Sequence, residues 1–214
     1  MKDEIVLIIG DKAWSSWSLR PWIAAKVACV PFREECVRLR QPGTAEEIAR
    51  HSPSLRVPVL KHGELTVWDS LAICEYLAEI APEAHLWPED AHARAVARSA
   101  AAEMHSSFHA LRKEFPMDFH AQIEGRAPSA EAVKDITRIV SIWSGMRRRF
   151  GKGGPFLFGG FTIADAMYAP VATRFRTYGL DLEAFGGDGA AQDYMQASLA
   201  RPEMQEWGEG AAHG

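Results

Sequence analysis

Residues 5–9, Ile-Val-Leu-Ile-Ile, are apolar without alternation. That pattern predicts a strand buried on both faces. Ile23-Ala24-Ala25-Lys26-Val27-Ala28 reads as helix and stops at Pro31, which fixes φ and lacks the N–H a continuing helix needs. Apolar and charged residues roughly alternate from Phe32 to Leu39, predicting a second strand. Strand–helix–strand is the unit of a parallel pair. Thr44-Ala45-Glu46-Glu47 opens a short helix to about His51, with a hydroxyl cap and acids in the first turn. Val57-Pro58-Val59-Leu60 and Leu65-Thr66-Val67-Trp68 flank the turn His62-Gly63-Glu64 and predict a hairpin. Asp69-Ser70 then caps a helix with Leu71, Ile73, Cys74, Leu77 and Ile80 on its apolar face. The order up to Ala81 is βαβαββα.

Residues 82–90 hold two prolines and several acids and read as a linker. From 91 onward the pattern is helical. A stretch over 91–115 is rich in Ala, Arg and Glu. Another over 129–150 opens on Ser129 and closes on Arg147-Arg148-Arg149 before Gly151, cations in a last turn followed by a helix-ending glycine. Thr162-Ile163-Ala164-Asp165 is a hydroxyl-x-x-acid helix start. Gly186-Gly187-Asp188-Gly189 is a loop, and Tyr194 to Trp207 makes a last helix or two, interrupted at Pro202. The fold class is an α/β domain over 1–81 followed, after the linker, by an all-α domain over 91–214.

Composition is that of an ordinary globular protein, so a sizeable core is available. A net charge of −4 gives no basic face for nucleic acid. No apolar run reaches the length of a membrane span, and the charged start is too short for a signal peptide. Three cysteines without CxxC spacing suit a reducing cytoplasm better than a disulfide scaffold.

Chemistry concentrates at Ser15-Ser16-Trp17-Ser18, where the first strand turns into a helix. Such a turn aims N–H groups and the positive end of a helix dipole at one point, an anion site. Plain helix capping by the serines is the alternative. Pro21 belongs in a first helical turn, so the helix is expected to start no earlier than about Ser18. A cis Val57–Pro58 bond would turn the Val57 backbone toward the serines, ready to pair with an extended peptide. An ordinary edge proline is the alternative. Asp69 and Ser70 form a further helix start suited to a carboxylate, or a simple cap. His105, Phe108, His109 and Arg112 share one helical face at i, i+3, i+4, i+7. His105 and His109 lack an acid between them and an evident third ligand, so no metal is expected. Gly151-Lys152-Gly153-Gly154 is not a phosphate loop, because no Lys-Ser/Thr follows its glycines.

In their order and spacing these segments resemble the glutathione S-transferase superfamily over essentially the full length. Ser15-Ser16-Trp17-Ser18-x-Arg20 is similar to the serine-type turn of the zeta class, SSCS-x-R. Val57-Pro58-Val59-Leu60, Asp69-Ser70-Leu71-Ala72-Ile73 and Phe161-Thr162-Ile163-Ala164-Asp165 resemble its V-P-x-L, E/D-S-x-A-I and F-T-x-A-D motifs. The resemblance implies a thioredoxin-like first domain, glutathione as co-substrate and a homodimer. It implies Ser15 as the catalytic hydroxyl with Ser16 as second choice, the Val57 backbone with Pro58 on the cysteinyl part, and Asp69 and Ser70 on the γ-glutamyl end. The second substrate would lie between domains, near Trp17, His105, Phe108 and Arg112. A hydroxyl donating to sulfur at a helix N-terminus favours the thiolate, which is the nucleophile.

Two departures stand out. Trp17 replaces the zeta cysteine and narrows the pocket. The zeta arginine that helps bind an acidic substrate aligns with Thr177, with Arg174 and Arg176 nearby. Three functions follow from the resemblance: conjugation of glutathione to a small hydrophobic electrophile, a glutathione-dependent cis–trans isomerase of the maleylacetoacetate type, and a non-catalytic binder that keeps the fold.

Overall fold

The computed structural model describes residues 4–212. Strand β1 (Ile5–Gly10) is buried along its whole length, as its unbroken apolar run requires. It pairs parallel with β2 (Arg33–Val37) and antiparallel with β3 (Val59–His62), which forms a hairpin with β4 (Leu65–Trp68). The sheet order is β2-β1-β3-β4. Helix α1 (Ser16–Val27) makes the crossover from β1 to β2, α2 (Thr44–His51) follows β2, and α3 (Ser70–Ile80) follows β4. Leu7, Ile9 and Leu60 of the sheet pack in one core with Leu19 and Ile23 of α1 and Ile73 and Leu77 of α3. Val6, Ile8, Val37, Ile48 and Val59 form a smaller core on the other face.

After a single 3-10 turn (Pro82–Ala84) the chain is helical: α4 (Ala91–Ser106), α5 (His109–Glu114), α6 (Ala130–Phe150), α7 (Ile163–Thr177), α8 (Gly189–Leu199) and α9 (Pro202–Ala212). Helix α7 is buried nearly throughout and lies against α1, α4 and α8. Its start is a complete capping box: Asp165 accepts from both the Thr162 N–H (2.7 Å) and its hydroxyl (2.9 Å). The second domain also grips the loop after β1. Phe119 donates its N–H to the Ala13 carbonyl, and the Trp207 indole N–H donates to the Lys12 carbonyl.

Four details differ from the sequence reading. Helix α1 begins at Ser16, two residues earlier than Pro21 suggested, and carries Pro21 in its interior. The Ser18 and Leu19 N–H groups both reach the Ser15 carbonyl, and burial of Leu19, Trp22 and Ile23 favours the early start over the proline's lost bond. Val57 and Pro58 precede β3, because the ladder starts at Val59. Helix α2 is preceded by left-handed Gly43 (φ 87°), and the Thr44 hydroxyl donates to the Arg38 carbonyl. The 91–115 stretch is two helices, broken at Ser107-Phe108, where Phe108 adopts φ 64°. His105, Phe108, His109 and Arg112 therefore do not share one helical face.

Candidate active site

The serine turn sits where β1 ends. Ser15 is the residue preceding α1, and its side chain makes no capping bond. Its hydroxyl instead donates to Ser18 Oγ at 2.7 Å, and the Gly10 N–H donates to the same oxygen at 3.1 Å. Ser16 Oγ accepts from Arg174 Nη2 at 3.1 Å, a bond that joins α1 to α7. Among the described residues the Trp17 N–H has no backbone acceptor, so it is the open donor at this helix start. Ser15 and Ser16 are buried residues, at 6% exposure each.

Trp17 itself faces a cavity of about 580 Å³. Val57 and Pro58, joined by a cis peptide bond, form another wall, with Asp69, Ser70, His105 and His109 around them. Asp69 sits at φ 76° and caps α3, accepting from the Leu71 N–H at 2.9 Å and the Ala72 N–H at 3.3 Å. Its other oxygen meets His105 Nε2 at 2.7 Å, so the end of α4 is tied to the start of α3 across the cavity. The Ser70 hydroxyl is buried and finds no partner among the described residues. A buried, unpaired hydroxyl is costly unless a ligand satisfies it.

Trp17 is clamped. The Arg20 guanidinium lies 4.1 Å from its ring centre and the Arg112 guanidinium 4.6 Å, while the His105 ring meets it edge-on at 5.5 Å. Cations over an aromatic face are attracted by its quadrupole. With guanidinium groups packed on the ring, a ligand in the cavity has little indole face left to stack on.

Arg20 is fully buried. Its Nε donates to the Met167 carbonyl at 3.2 Å, but both terminal nitrogens are unpartnered among the described residues. Arg112 donates to the carbonyls of Ser107 and Met104, leaving Nη1 unpartnered. Arg174 is also buried, with Nε on the Phe115 carbonyl (2.9 Å) and Nη1 on the Pro170 carbonyl (3.0 Å). Burial, then the neighbouring charges of Arg112 and Arg174, lowers the Arg20 pKa well below its ordinary value. Burial, then Arg112, brings Arg174 down to about 9. Three guanidinium groups thus share one interior region, and no carboxylate forms a salt bridge with any of them among the described residues.

Of the residues singled out in the sequence, Trp17, Val57, Pro58, Asp69, Ser70 and His105 converge on the cavity. Ser15 and Ser16 lie beneath the surface at the turn, and Arg112 packs on Trp17. Phe108 belongs to the core at 5% exposure. Sequence reasoning named Ser18 and Arg20 only as parts of a motif and missed their contacts, along with the Arg174–Ser16 bond. A basic residue within an otherwise apolar α7, Arg174 in Val171-Ala172-Thr173-Arg174-Phe175, was the available signal for the last.

A four-stranded mixed sheet with a helical domain packed on it, and a cavity at the strand-to-helix turn, defines a thioredoxin-like, two-domain architecture. Residues 14–80 match the glutathione S-transferase N-terminal domain and residues 95–207 the glutathione S-transferase C-terminal domain, so the chain belongs to the glutathione S-transferase family. It is 28% identical to glutathione S-transferase 1 of Dianthus caryophyllus, over 80% of this chain and 78% of that protein. It is 36% identical to the maleylacetoacetate isomerase of Rattus norvegicus, over 39% of this chain and 40% of that one. Among solved structures, a glutathione transferase homologue from Burkholderia gl BGR1 with bound glutathione superposes with a TM-score of 0.72 at 24% identity, covering 99% and 100% of the two chains. A bacterial zeta-class maleyl pyruvate isomerase gives 0.73 at 24% identity, covering 96% and 97%.

Proposed function

We propose that the protein binds glutathione in the cavity beside Trp17 and turns its thiol into a thiolate that attacks a small hydrophobic electrophile. In that reading residues 1–81 bind glutathione and residues 91–214 bind the electrophile. The observation that carries it is the convergence of Val57, Pro58, Asp69 and the unsatisfied Ser70 hydroxyl on one cavity, next to the open Trp17 N–H. Asp69 and Ser70 suit the ammonium and carboxylate of a γ-glutamyl group, and the Val57 backbone, outside any ladder, suits strand-like pairing with the cysteinyl part. In conjugation the thiol proton passes to solvent, a C–S bond forms, and a leaving group such as halide departs with its electron pair.

Calorimetry tests this. Glutathione should bind, and cysteinylglycine, which lacks the γ-glutamyl group, should bind at least about tenfold more weakly. Asp69→Ala should erase that difference. Equal affinity of the wild type for the two thiols would contradict the assignment.

A second reading has its own support. The unpartnered Nη1 of Arg112, which packs against Trp17, favours an electrophile that carries a carboxylate. A glutathione-dependent isomerase of the maleylacetoacetate type would use one: the thiolate adds to a double bond, the single bond rotates, and elimination restores thiolate and double bond. Turnover of maleylacetone exceeding that of a halogenated aromatic, and lost in Arg112→Leu, would select it. Glutathione binding with turnover of neither substrate would select the non-catalytic binder. The exposed Leu65 and Trp68 on edge strand β4 support a homodimer, and three unpaired cysteines support a reducing cytoplasm. Among the described residues no helix is long and apolar enough to cross a membrane.

A further inference from the structure

The run Trp207-Gly208-Glu209-Gly210 places two glycines inside helix α9. Glycine in a helix interior is destabilising relative to alanine, so the pair calls for an explanation. Each position supplies one. A Cβ on Gly208 would come within 2.6 Å of the Phe119 ring, and a Cβ on Gly210 within 2.7 Å of the Lys12 stem. Both side chains therefore fill notches that only glycine leaves on α9. The same neighbourhood holds the loop after β1. Trp207 is fully buried, and its indole N–H donates to the Lys12 carbonyl at 2.8 Å. The Phe119 N–H donates to the Ala13 carbonyl at 3.0 Å. The Lys12 ammonium lies 5.0 Å from the Trp22 ring centre and 5.4 Å from that of Trp207, and meets Glu34 at 2.9 Å. The loop leads straight into the serine turn, where the Asp11 carbonyl accepts from the Trp14 N–H (3.1 Å) and the Ser15 N–H (2.8 Å). Three consecutive carbonyls are thus engaged, the first by the turn itself and the next two by the second domain.

We infer that α9 is a clamp that sets the serine turn: Trp207 is a positioning residue acting through the Lys12 carbonyl, and Gly208 and Gly210 let Phe119 and Lys12 seat against the helix. This rests on the glutathione-activating function proposed above. The clamp touches neither the sulfur nor the γ-glutamyl contacts at the start of α3. It acts on where the first N–H groups of α1 point, and these stabilise an anion only at hydrogen-bonding distance. A displacement of about 1 Å caused by a distant substitution is enough to cost activity heavily. Loops ordinarily carry such freedom, and here two backbone bonds and a caged ammonium remove it.

The experiment is an ultraviolet titration of thiolate absorbance for glutathione bound to the wild type, Trp207→Phe, Trp22→Phe and Gly210→Ala, with affinities measured by calorimetry. Trp207→Phe keeps an aromatic ring and removes the bond to Lys12. It should raise the bound thiol's pKa by about half a unit, a loss of thiolate of about threefold near neutrality, with glutathione affinity within about twofold. Trp22→Phe is the control. It loses an indole N–H bond in the same aromatic cluster, to Glu34 at 2.7 Å, and its ring centre lies 5.1 Å from that of Trp207, but that bond does not reach the loop backbone. It should lower the urea midpoint and leave the thiol pKa within about 0.2 unit of the wild type. Gly210→Ala favours the helix yet unseats Lys12, and should shift the thiol pKa in the same direction as Trp207→Phe. If Trp207→Phe does not fold, Gly210→Ala decides alone. A wild-type thiol pKa in the deciding variant, or an equal or larger shift in Trp22→Phe, overturns the clamp while leaving glutathione activation intact. Failure of the wild type to bind glutathione, or bound glutathione that titrates like the free thiol, overturns both.

Discussion

Trp17 owes its position to charge as much as to packing. Guanidinium groups from α1 and α5 both lie against one indole, whose electron-rich ring screens part of their mutual repulsion. Trp17→Ala removes that screen and should destabilise the fold by about 1–3 kcal/mol, measured by urea unfolding. Trp17→Cys, which restores the residue of the similar zeta motif, should open the cavity. Bulkier electrophiles should then gain kcat/KM while glutathione affinity changes little. Unchanged preference across a size series of electrophiles would remove Trp17 as the residue that sets substrate size. In the sequence Trp17 was legible as a departure from a motif. Its clamp was not, because Arg112 reaches it from a helix almost a hundred residues downstream.

Helices α1 and α7 show which element-scale features a sequence carries. The α7 start was readable, because a hydroxyl-x-x-acid box is local and Asp165 closes it. Burial pushes the Asp165 carboxyl up to about 6, against hydrogen bonds from Leu157 and Thr162 that pull it down. A carboxyl whose folded pKa lies above its unfolded value of about 3.9 contributes stability that is complete below that value and lost as pH rises through the folded one. The wild type should therefore lose stability relative to Asp165→Asn between pH 4 and about 6, and a flat difference across that window would contradict the assignment. The start of α1 was misread, because a proline rule applied to one residue could not weigh the burial of Leu19, Trp22 and Ile23. The break at Ser107-Phe108 was likewise invisible: a left-handed phenylalanine has no local signature, and Phe108 is drawn there by burial in the core.

At the scale of the molecule, the βαβαββα order and the helical second half were written in hydrophobic period, while the active-site geometry was assembled by contacts between the two halves. The buried arginines illustrate why. Arg20 looked like part of a motif and Arg174 only like a neighbour of the position aligned with the zeta arginine, yet both end in one region where burial depresses their pKa. The cysteines give an independent check on the same core. Cys29 and Cys36 are exposed, whereas Cys74 is buried and its thiol is pushed far up by desolvation. A thiol–disulfide reagent should consume two thiols in the folded protein, Cys29 faster than Cys36, whose own thiol is raised by partial burial and by Asp11. The third should react only on unfolding, and three equivalents consumed under native conditions would contradict the packing of α3. The central claim is that this turn holds glutathione as a thiolate. Its most direct measurement is the thiol pKa of glutathione bound to the wild-type protein, read from thiolate absorbance against pH. The account predicts a value at least about one unit below that of a free thiol near 8.5; bound glutathione titrating like free glutathione would contradict it.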